Sequence, residues 1–411
     1  MNYRLLSLLV LFFIYSCQPT PPAERVEHGI SDVGLARYEA FLQQEVNEGR
    51  IAGAVSRVHR REQVAHNVAI GKLDITTDAA MSTDAIFYIQ SMTKPIITAA
   101  FMMLYEEGHF FLNDPVSKYL PGFKGRQVAL DLSKGLDSHT EPANKEITIS
   151  HLLSHTAGLS HGLFGYGLDL EYAQAMYGED HNTIEERVDR MLDLPLIGHP
   201  GEQWYYSAAP DVLSVLIAKF SGMSTADFLQ SRLFDPLGMN DTGYNVPESK
   251  HDRVAKLHGF DSTGTLQFVP IGSLGGSQLT GNTIHSGVNA LFSTAEDYLK
   301  FCQMILNNGE FSGQRYLSRK TIELMSENHV DDLFPWGAGY GFGYGFRVLE
   351  DLSETKAAGS VGIMAWDGAY STYFIIDPDE ELVAVLLLQL EPFSGYYQRK
   401  FTQYLYAAID D

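Results

Sequence analysis

Two stretches of alternating apolar and polar residues lie near opposite ends of the chain and limit the folds that it can adopt. Residues 51–73 alternate around the turn-like segment 60–63, and residues 371–389 alternate around 377–381. Alternation with a period of two is typical of strands, and a polar break between two such runs predicts a hairpin. Because strands must pair and bury a face, the two hairpins predict one sheet assembled from both ends of the chain.

The sequence between the two hairpins has the periodicity of helices. Helices are predicted over 91–107, 149–156, 184–193, 211–221, 224–234, 294–307 and, at the end of the chain, 396–409. With 411 residues, the chain is long enough for two interlocked domains or one large one. We therefore predict a mixed α/β (α+β) fold, with a sheet-containing part over 30–90 and 285–411 and a mainly helical part over 91–284.

The tetrad Ser91-Met92-Thr93-Lys94 opens an apolar helical stretch and carries a candidate nucleophile and base. Residues three apart lie on one face of a helix, so the Lys94 ammonium can reach the Ser91 hydroxyl. The N–H groups of a first helical turn have no intrahelical partner and favour negative charge. A serine and a lysine at this spacing are also common on exposed helices, but the apolar surroundings favour a serine hydrolase.

The first 17 residues have the pattern of an export signal, with one early arginine, an apolar run from Leu5 to Tyr15, and then Ser16-Cys17. The run is too short to span a bilayer comfortably. A cysteine after a small residue resembles the lipobox of bacterial lipoproteins, which predicts a lipidated Cys17 followed by a tether over 18–29. Tyr15 is unusual in a lipobox, so secretion with cleavage nearby is the alternative. We expect an exported protein that is lipid-anchored in the bacterial cell envelope (periplasm or outer membrane) or secreted.

The net charge of the chain restricts the partners that it can bind. The chain has 29 Lys and Arg residues and 51 Asp and Glu residues, which gives a formal net charge of −22. A phosphate backbone would be repelled, so nucleic-acid binding is not expected.

Cys302 is the second of two cysteines and lies in an apolar helical stretch. We expect a buried thiol there, because a catalytic cysteine needs a positively charged neighbourhood and a base.

Two further segments carry candidate site residues. Tyr206 lies in a turn before a predicted helix; next to Lys94 its phenol would ionise more readily and take the nucleophile's proton, although Tyr205 competes by position. The segment Trp366–Ala369 precedes a strand, and Gly368 lets a substrate approach the backbone closely. A backbone N–H of this segment would complete an oxyanion hole with the N–H of the nucleophile.

Three other patterns compete with this interpretation. Residues 158–162 match the nucleophile elbow G-x-S-x-G, which makes Ser160 a rival nucleophile, but the preceding segment is helical where that motif requires a strand. His151 and His155 lack the adjacent glutamate of zinc proteases. The glycine-rich run 337–345 contains no G-x-G-x-x-G and predicts a pocket-lining loop or an edge strand. We expect neither a metal nor a cofactor.

With Ser91-x-x-Lys94, the turn at Tyr206 and Trp366-x-Gly368 in this order, the chain resembles the serine β-lactamase and penicillin-binding-protein superfamily, specifically its class C-like branch. The resemblance extends over about residues 30 to 405. Supporting segments are 112–121, 151–159, 235–239 and 377–378. It implies a β-lactamase/transpeptidase-like fold, in which an antiparallel sheet flanked by helices packs against a helical domain with the site at the junction.

The resemblance also implies a mechanism through an acyl-enzyme. Ser91 would attack a carbonyl carbon while Lys94 and Tyr206 transfer protons. Backbone N–H groups of Ser91 and Ala369 would hold the oxyanion, with Trp366 and Gly368 on the substrate-binding strand. Water or an alcohol would then resolve the acyl-enzyme.

Two departures from the superfamily bear on the substrate. Where β-lactamases and DD-peptidases of this kind carry Tyr-x-Asn, the chain has Tyr206-Ser207-Ala208, without the amide that binds an acylamino carbonyl. Where they carry Lys-Thr-Gly or His-Thr-Gly, it has Trp366-Asp367-Gly368, without the cation that pairs with a carboxylate. Trp-x-Gly is similar to the β-lactamase-like carboxylesterases, often grouped as esterase family VIII. Their middle residue is commonly Gly; alternation predicts that the Asp367 side chain points away from the Trp366 face.

These observations favour a carboxylesterase or transesterase that acts on a small-molecule ester. One alternative is a β-lactamase or D-amino-acid peptidase (DD-carboxypeptidase) that acts on an amide and binds its carboxylate through another cation, such as Arg347. A second is a non-catalytic protein that binds cell-wall peptides, against which the intact Ser91, Lys94 and Tyr206 count. The sequence indicates neither the natural substrate nor the oligomeric state.

Overall fold

The computed structural model describes residues 28–178, 181–270 and 278–411. The predicted signal segment, Cys17 and most of the predicted tether lie outside the described residues. The strands are β1 (Gly53–Arg60), β2 (Gln63–Asp74), β3 (Ala79–Ala80), β4 (Phe87–Tyr88), β5 (Gln127–Ala129), β6 (Thr140–Pro142), β7 (His258–Phe260), β8 (Leu266–Phe268), β9 (Phe292–Ser293), β10 (Glu310–Phe311), β11 (Gln314–Arg315), β12 (Tyr340–Phe342), β13 (Arg347–Leu349), β14 (Met364–Gly368), β15 (Thr372–Asp377) and β16 (Leu382–Leu387).

The α-helices lie mainly between the two groups of sheet strands. They are α1 (Asp32–Asn47), α2 (Thr93–Glu106), α3 (Ile149–Leu153), α4 (Gly167–Ala173), α5 (Ile184–Leu192), α6 (Ala209–Ser221), α7 (Thr225–Leu229), α8 (Asp235–Leu237), α9 (Ala295–Leu306), α10 (Arg319–Ser326), α11 (Leu352–Thr355) and α12 (Gly395–Ala407). Within the described ranges, no single helix is long and apolar enough to cross a bilayer. Among the same residues, one pair of consecutive helical segments reaches that length and apolar character only when taken together, and it is bent by 77° between Ala209–Ser221 and Thr225–Leu237.

Both predicted hairpins belong to one antiparallel sheet, with the strand order β12-β13-β14-β15-β16-β1-β2-β3. The two ends of the chain meet where β1 pairs with β16, from Val55 opposite Leu387 to Arg60 opposite Leu382. The prediction of a sheet assembled from both ends is therefore confirmed, as is the mixed α/β (α+β) class.

Both faces of this sheet are covered by helices. Along β16, Val383 and Val385 belong to the core that contains α2 and α9, whereas Ala384 and Leu386 belong to the core on the side of α1 and α12. All four side chains are fully buried. A strand buried on both faces has no polar positions to alternate with, which explains why 382–388 is almost wholly apolar.

Two of the predicted helices are shorter or more broken than the periodicity indicates. The helix predicted over 149–156 ends at Leu153, and His155 has a left-handed backbone with φ of 59°. The stretch predicted over 224–234 is helical from Thr225 onwards, but α7 passes into a π-helical turn, Gln230–Phe234. Cys302 is fully buried on α9, as predicted, and burial raises the pKa of its thiol.

The side chain of Phe374 on β15 offers a test of this core. It is fully buried, with its ring 5.1 Å from that of Tyr298 on α9. We expect Phe374→Ala to lower the free energy of unfolding by about 3–5 kcal/mol, because truncation of a buried ring leaves a cavity. Phe393, which is 47% exposed, is the matched control; Phe393→Ala should change that free energy by less than about 0.5 kcal/mol. Urea denaturation of both variants checks this, and equal losses would contradict the assigned core.

Candidate active site

Ser91 lies at a bend that is fastened to the sheet. It is partly buried and belongs to a 3-10 turn, Gln90–Met92, that leads directly into α2 at Thr93, so the tetrad spans the turn and the start of the helix. Ile89, the residue just before this turn, donates its N–H to Leu291 O at 3.0 Å. Its carbonyl oxygen accepts a hydrogen bond from Thr372 Oγ1 at 3.3 Å. These bonds fix the position of the hydroxyl relative to β15.

The Lys94 amine is buried and hydrogen-bonded to the candidate nucleophile. Its Nζ lies 3.0 Å from Ser91 Oγ and 2.9 Å from the carbonyl oxygen of Val288. Burial lowers the pKa of Lys94 well below its ordinary value, and the carboxylates of Asp211 and Asp367 oppose this shift only in part. The lowered pKa favours the uncharged amine, and only an uncharged amine can accept a proton from the serine hydroxyl at this distance.

Tyr206 shares this site, and Tyr205 does not. The Tyr206 hydroxyl accepts a hydrogen bond from Trp366 Nε1 at 3.4 Å, and its ring centroid lies 4.4 Å from Lys94 Nζ. The side chain of Ser91 is close enough to lower the pKa of the Tyr206 phenol. The Tyr205 hydroxyl instead donates to Gln203. The structure therefore separates two tyrosines that the sequence could not.

Burial acts against the Tyr206 phenolate that the sequence analysis expected. It raises the pKa of Tyr206 above its ordinary value of 10.0, while the side chains of Ser91 and Trp366 act in the opposite direction. Burial also lowers the pKa of Lys94, which reduces the positive charge available to stabilise a phenolate. Both shifts favour a protonated phenol, which is suited to donating a proton.

Gly368 allows β14 to approach the Ser91 bend. A Cβ at this position would overlap the carbonyl oxygen of Ile89, so the contact between the two backbones requires glycine. Ala369 follows in the turn that Ser371 closes by donating its N–H to Gly368 O at 2.9 Å. The close contact seen at Gly368 is with the chain's own backbone; the approach of a substrate there stays a prediction.

The edge of β14 is open beside this bend. β13 pairs with β14 only at Met364 and Ala365. Among the described strands, none pairs with Trp366–Gly368 on the side away from β15. An extended substrate can therefore lie along this part of β14.

The side chain of Asp367 lies on the face of the sheet that strand alternation predicts, opposite to that of Trp366. Asp367 pairs with Tyr373, which belongs with Ala365 to the core on the α1 and α12 side, whereas Trp366 belongs to the opposite core. Arg347 pairs with Ala365, and directly opposite residues share a face of the sheet. The cation suggested for carboxylate binding therefore lies on the face away from Trp366.

Asp211 on α6 is a site residue that the sequence reasoning missed. It is fully buried, and its Oδ1 accepts hydrogen bonds from Ser286 Oγ at 2.6 Å and from the N–H groups of Gly287 and Val288 at 2.8 and 3.1 Å. Val288 in turn supplies the carbonyl that accepts from Lys94. A lone carboxylate in the apolar stretch 208–217 was the signal that could have found it.

The rival residues have structural roles. Ser160 Oγ donates to the carboxylate of Asp169, which also accepts the N–H of Gly162, and the segment before Ser160 contains α3, not a strand. The Nδ1 atoms of His151 and His155 accept the N–H groups of Thr148 and Ser207. The described residues contain no group of three or more His, Cys, Asp or Glu side chains placed to hold a metal ion.

A sheet assembled from both ends of the chain, with the Ser91 bend held between it and the helices, defines the β-lactamase/transpeptidase-like fold class. The comparisons agree with this class. The chain belongs to the Beta-lactamase family, whose model matches residues 38–409.

Several known proteins are similar to this chain over most of its length. Protein Rv1367c of Mycobacterium tuberculosis (strain ATCC 25618 / H37Rv) is 31% identical over 363 residues, covering 85% of this chain and 89% of that protein. Esterase EstB of Burkholderia gladioli is 28% identical, over 88% of this chain and 91% of that protein. The solved structure of EstCE1, a hydrolase with promiscuous acyltransferase activity, is 27% identical, with a TM-score of 0.78, over 91% of this chain and 99% of that one.

The buried Lys94 amine predicts a pH dependence of stability. Its native pKa lies below the ordinary 10.5, so between these two values the unfolded chain binds more protons and stability rises with pH. Relative to Lys94→Met, the wild type should gain up to about 1.4 kcal/mol per pH unit in that window. Urea unfolding of both proteins between pH 7 and 10 measures this, and a pH-independent difference would show that Lys94 is charged in the native protein.

Asp211 should affect turnover through Lys94. We expect Asp211→Asn to lower kcat/KM by about tenfold or more, because the loop that supplies the Val288 carbonyl loses its anionic anchor. Asp297, a second buried carboxylate that accepts hydrogen bonds from Asp241 and Thr242, is the matched control. Asp297→Asn should be destabilised comparably but keep its turnover. If both variants lose activity in proportion to their thermal stability, Asp211 has only a structural role.

Proposed function

We propose that the chain is a serine carboxylesterase that acts on neutral esters through an acyl-enzyme. The observation that carries the proposal is the contact between the buried Lys94 amine and Ser91 Oγ at 3.0 Å, with the Tyr206 ring centroid 4.4 Å from the same amine. A serine with a base on its hydroxyl and a proton donor nearby is the arrangement that nucleophilic acyl transfer requires.

In the proposed reaction, Ser91 Oγ bonds to the ester carbonyl carbon while its proton passes to Lys94 Nζ. The N–H groups of Ser91 and Ala369 stabilise the oxyanion. When the bond from carbon to the alcohol oxygen breaks, that oxygen takes the proton of Tyr206, which is restored by the proton held on Lys94. Water then repeats the sequence on the acyl-enzyme and releases the acid.

The surroundings favour an ester over a β-lactam or a peptide. The position that carries a cation in β-lactamases of this kind is Trp366, and the asparagine position is Ala208, which is fully buried. Arg347 lies on the other face of the sheet from Trp366. The similarity to an esterase, EstB, and to a hydrolase, EstCE1, supports the same choice.

Transesterification is the second candidate activity. EstCE1 is a hydrolase with promiscuous acyltransferase activity, and the rings of Trp204, Trp336 and Trp366 lie within 6.0 Å of the Tyr206 ring centroid, where an apolar alcohol can compete with water. Product analysis with added alcohol distinguishes the two, since an ester product forms only by transfer.

The proposal is tested with purified protein lacking residues 1–17. We expect hydrolysis of p-nitrophenyl esters with short acyl chains at rates far above those for a chromogenic cephalosporin. Ser91→Ala should lower ester turnover by about a thousandfold or more, since it removes the nucleophile.

Ser160→Ala is the control for the second serine motif. It should retain most of the ester turnover, because Asp169 keeps its backbone donors. Strong cephalosporin hydrolysis would show that the protein is a β-lactamase and would overturn the proposed esterase function. Turnover of neither substrate would favour the non-catalytic peptide-binding alternative.

A further inference from the structure

An apolar cavity of about 230 Å³ lies beside Tyr206 and has no part in the proton transfers of the proposed reaction. Its wall is formed by side chains from separate segments, chiefly Leu132, Phe164, Tyr166, Ile197, Trp204 and Trp336. An apolar cavity of about 150 Å³ is large enough for benzene. This cavity therefore has room for one ring or a short branched chain.

The wall of the cavity is mainly apolar, and the charged side chain in it is held by hydrogen bonds. Asp169 is the one charged residue among the described residues that line it, and its oxygens accept hydrogen bonds from Ser160 Oγ and from the N–H groups of Gly162, Phe164 and Gly165. These bonds fix the loop that carries Phe164. A preformed apolar wall without a free charge favours an uncharged group.

The position of the cavity indicates which half of an ester enters it. Tyr206 is part of its wall, whereas Ser91, Gly368 and Ala369, on the oxyanion side, are not. Trp336, which is 41% exposed, lies 5.0 Å from the Tyr206 ring and 6.0 Å from the Trp366 ring, at the entrance from solvent. In the proposed reaction, the Tyr206 hydroxyl protonates the alcohol oxygen, so the group attached to that oxygen lies nearest the cavity.

We infer that this cavity is the binding site for the alcohol half of the substrate and that it selects esters of apolar, ring-sized alcohols. The inference rests on the proposed esterase function, which it makes more specific. One methylene more or less in an apolar pocket changes the discrimination between substrates by about 10- to 200-fold.

Two isomeric esters test the inference, because they place the same ring in opposite halves. Benzyl acetate carries the ring in its alcohol half, and methyl phenylacetate carries it in its acyl half. We expect the wild type to favour benzyl acetate in kcat/KM. Leu132→Trp, which fills the cavity from a partly exposed position, should lower the ratio of benzyl acetate to methyl phenylacetate by about tenfold. The ratio cancels any general loss of catalysis.

Phe164→Ala provides a second variant on an exposed loop, in case the larger tryptophan prevents folding; it should lower the same ratio. Phe111→Ala, at a side chain that is 74% exposed and outside the cavity wall, is the control and should leave the ratio unchanged. A rise of the ratio would place the acyl half in the cavity, and an unchanged ratio in both variants would show that the cavity binds neither half; each overturns the inference while ester turnover persists. Failure of the wild type to hydrolyse any ester would overturn the proposed function itself.

Discussion

The burial of the Lys94 amine is the constraint on which the rest of the site depends. A buried ammonium without a counterion is unfavourable, so the amine loses its proton at a lower pH than an exposed lysine. The two hydrogen-bond partners of the amine are Ser91 Oγ and Val288 O. Contacts other than an ion pair with Lys94 must then hold these two oxygens in place. The protein does this with the bend before α2 on one side and the loop fastened by Asp211 on the other.

Both sides of this arrangement depend on long-range contacts. The Ser91 bend is held by Leu291 and by Thr372 on β15, and β15 pairs with β16, which pairs with β1 near the start of the chain. Gly368 on the neighbouring strand contacts the same bend. The pairing of the two chain ends thus places the open edge of β14 beside Ser91, the candidate nucleophile, which connects the sheet to the proposed chemistry.

What the sequence predicted well was local. The hairpins follow from alternation, the contact between Ser91 and Lys94 follows from a spacing of three, and the side of Asp367 follows from strand geometry. What it missed depends on distant partners. Asp211 is explained by residues 286–288, more than seventy positions away, and the state of Tyr206 depends on burial that no local pattern reveals. The early end of α3 reflects the left-handed backbone of His155, a residue type with no strong helix-stop signal.

The shifted pKa values of the site also bear on how the proposed catalysis would work. Burial lowers the pKa of Lys94 and raises that of Tyr206, and both shifts favour the uncharged form of the group before reaction. Proton transfer from Ser91 creates an ammonium 4.4 Å from the Tyr206 ring centroid, near the carboxylates of Asp211 and Asp367. The attractions of a cation to an aromatic face and to carboxylates arise only once this charge has formed. Interactions that are stronger in the transition state than in the ground state are the ones that accelerate a reaction. In the proposed reaction, the burial that lowers the pKa of Lys94 therefore also makes these attractions strongest after the proton has moved.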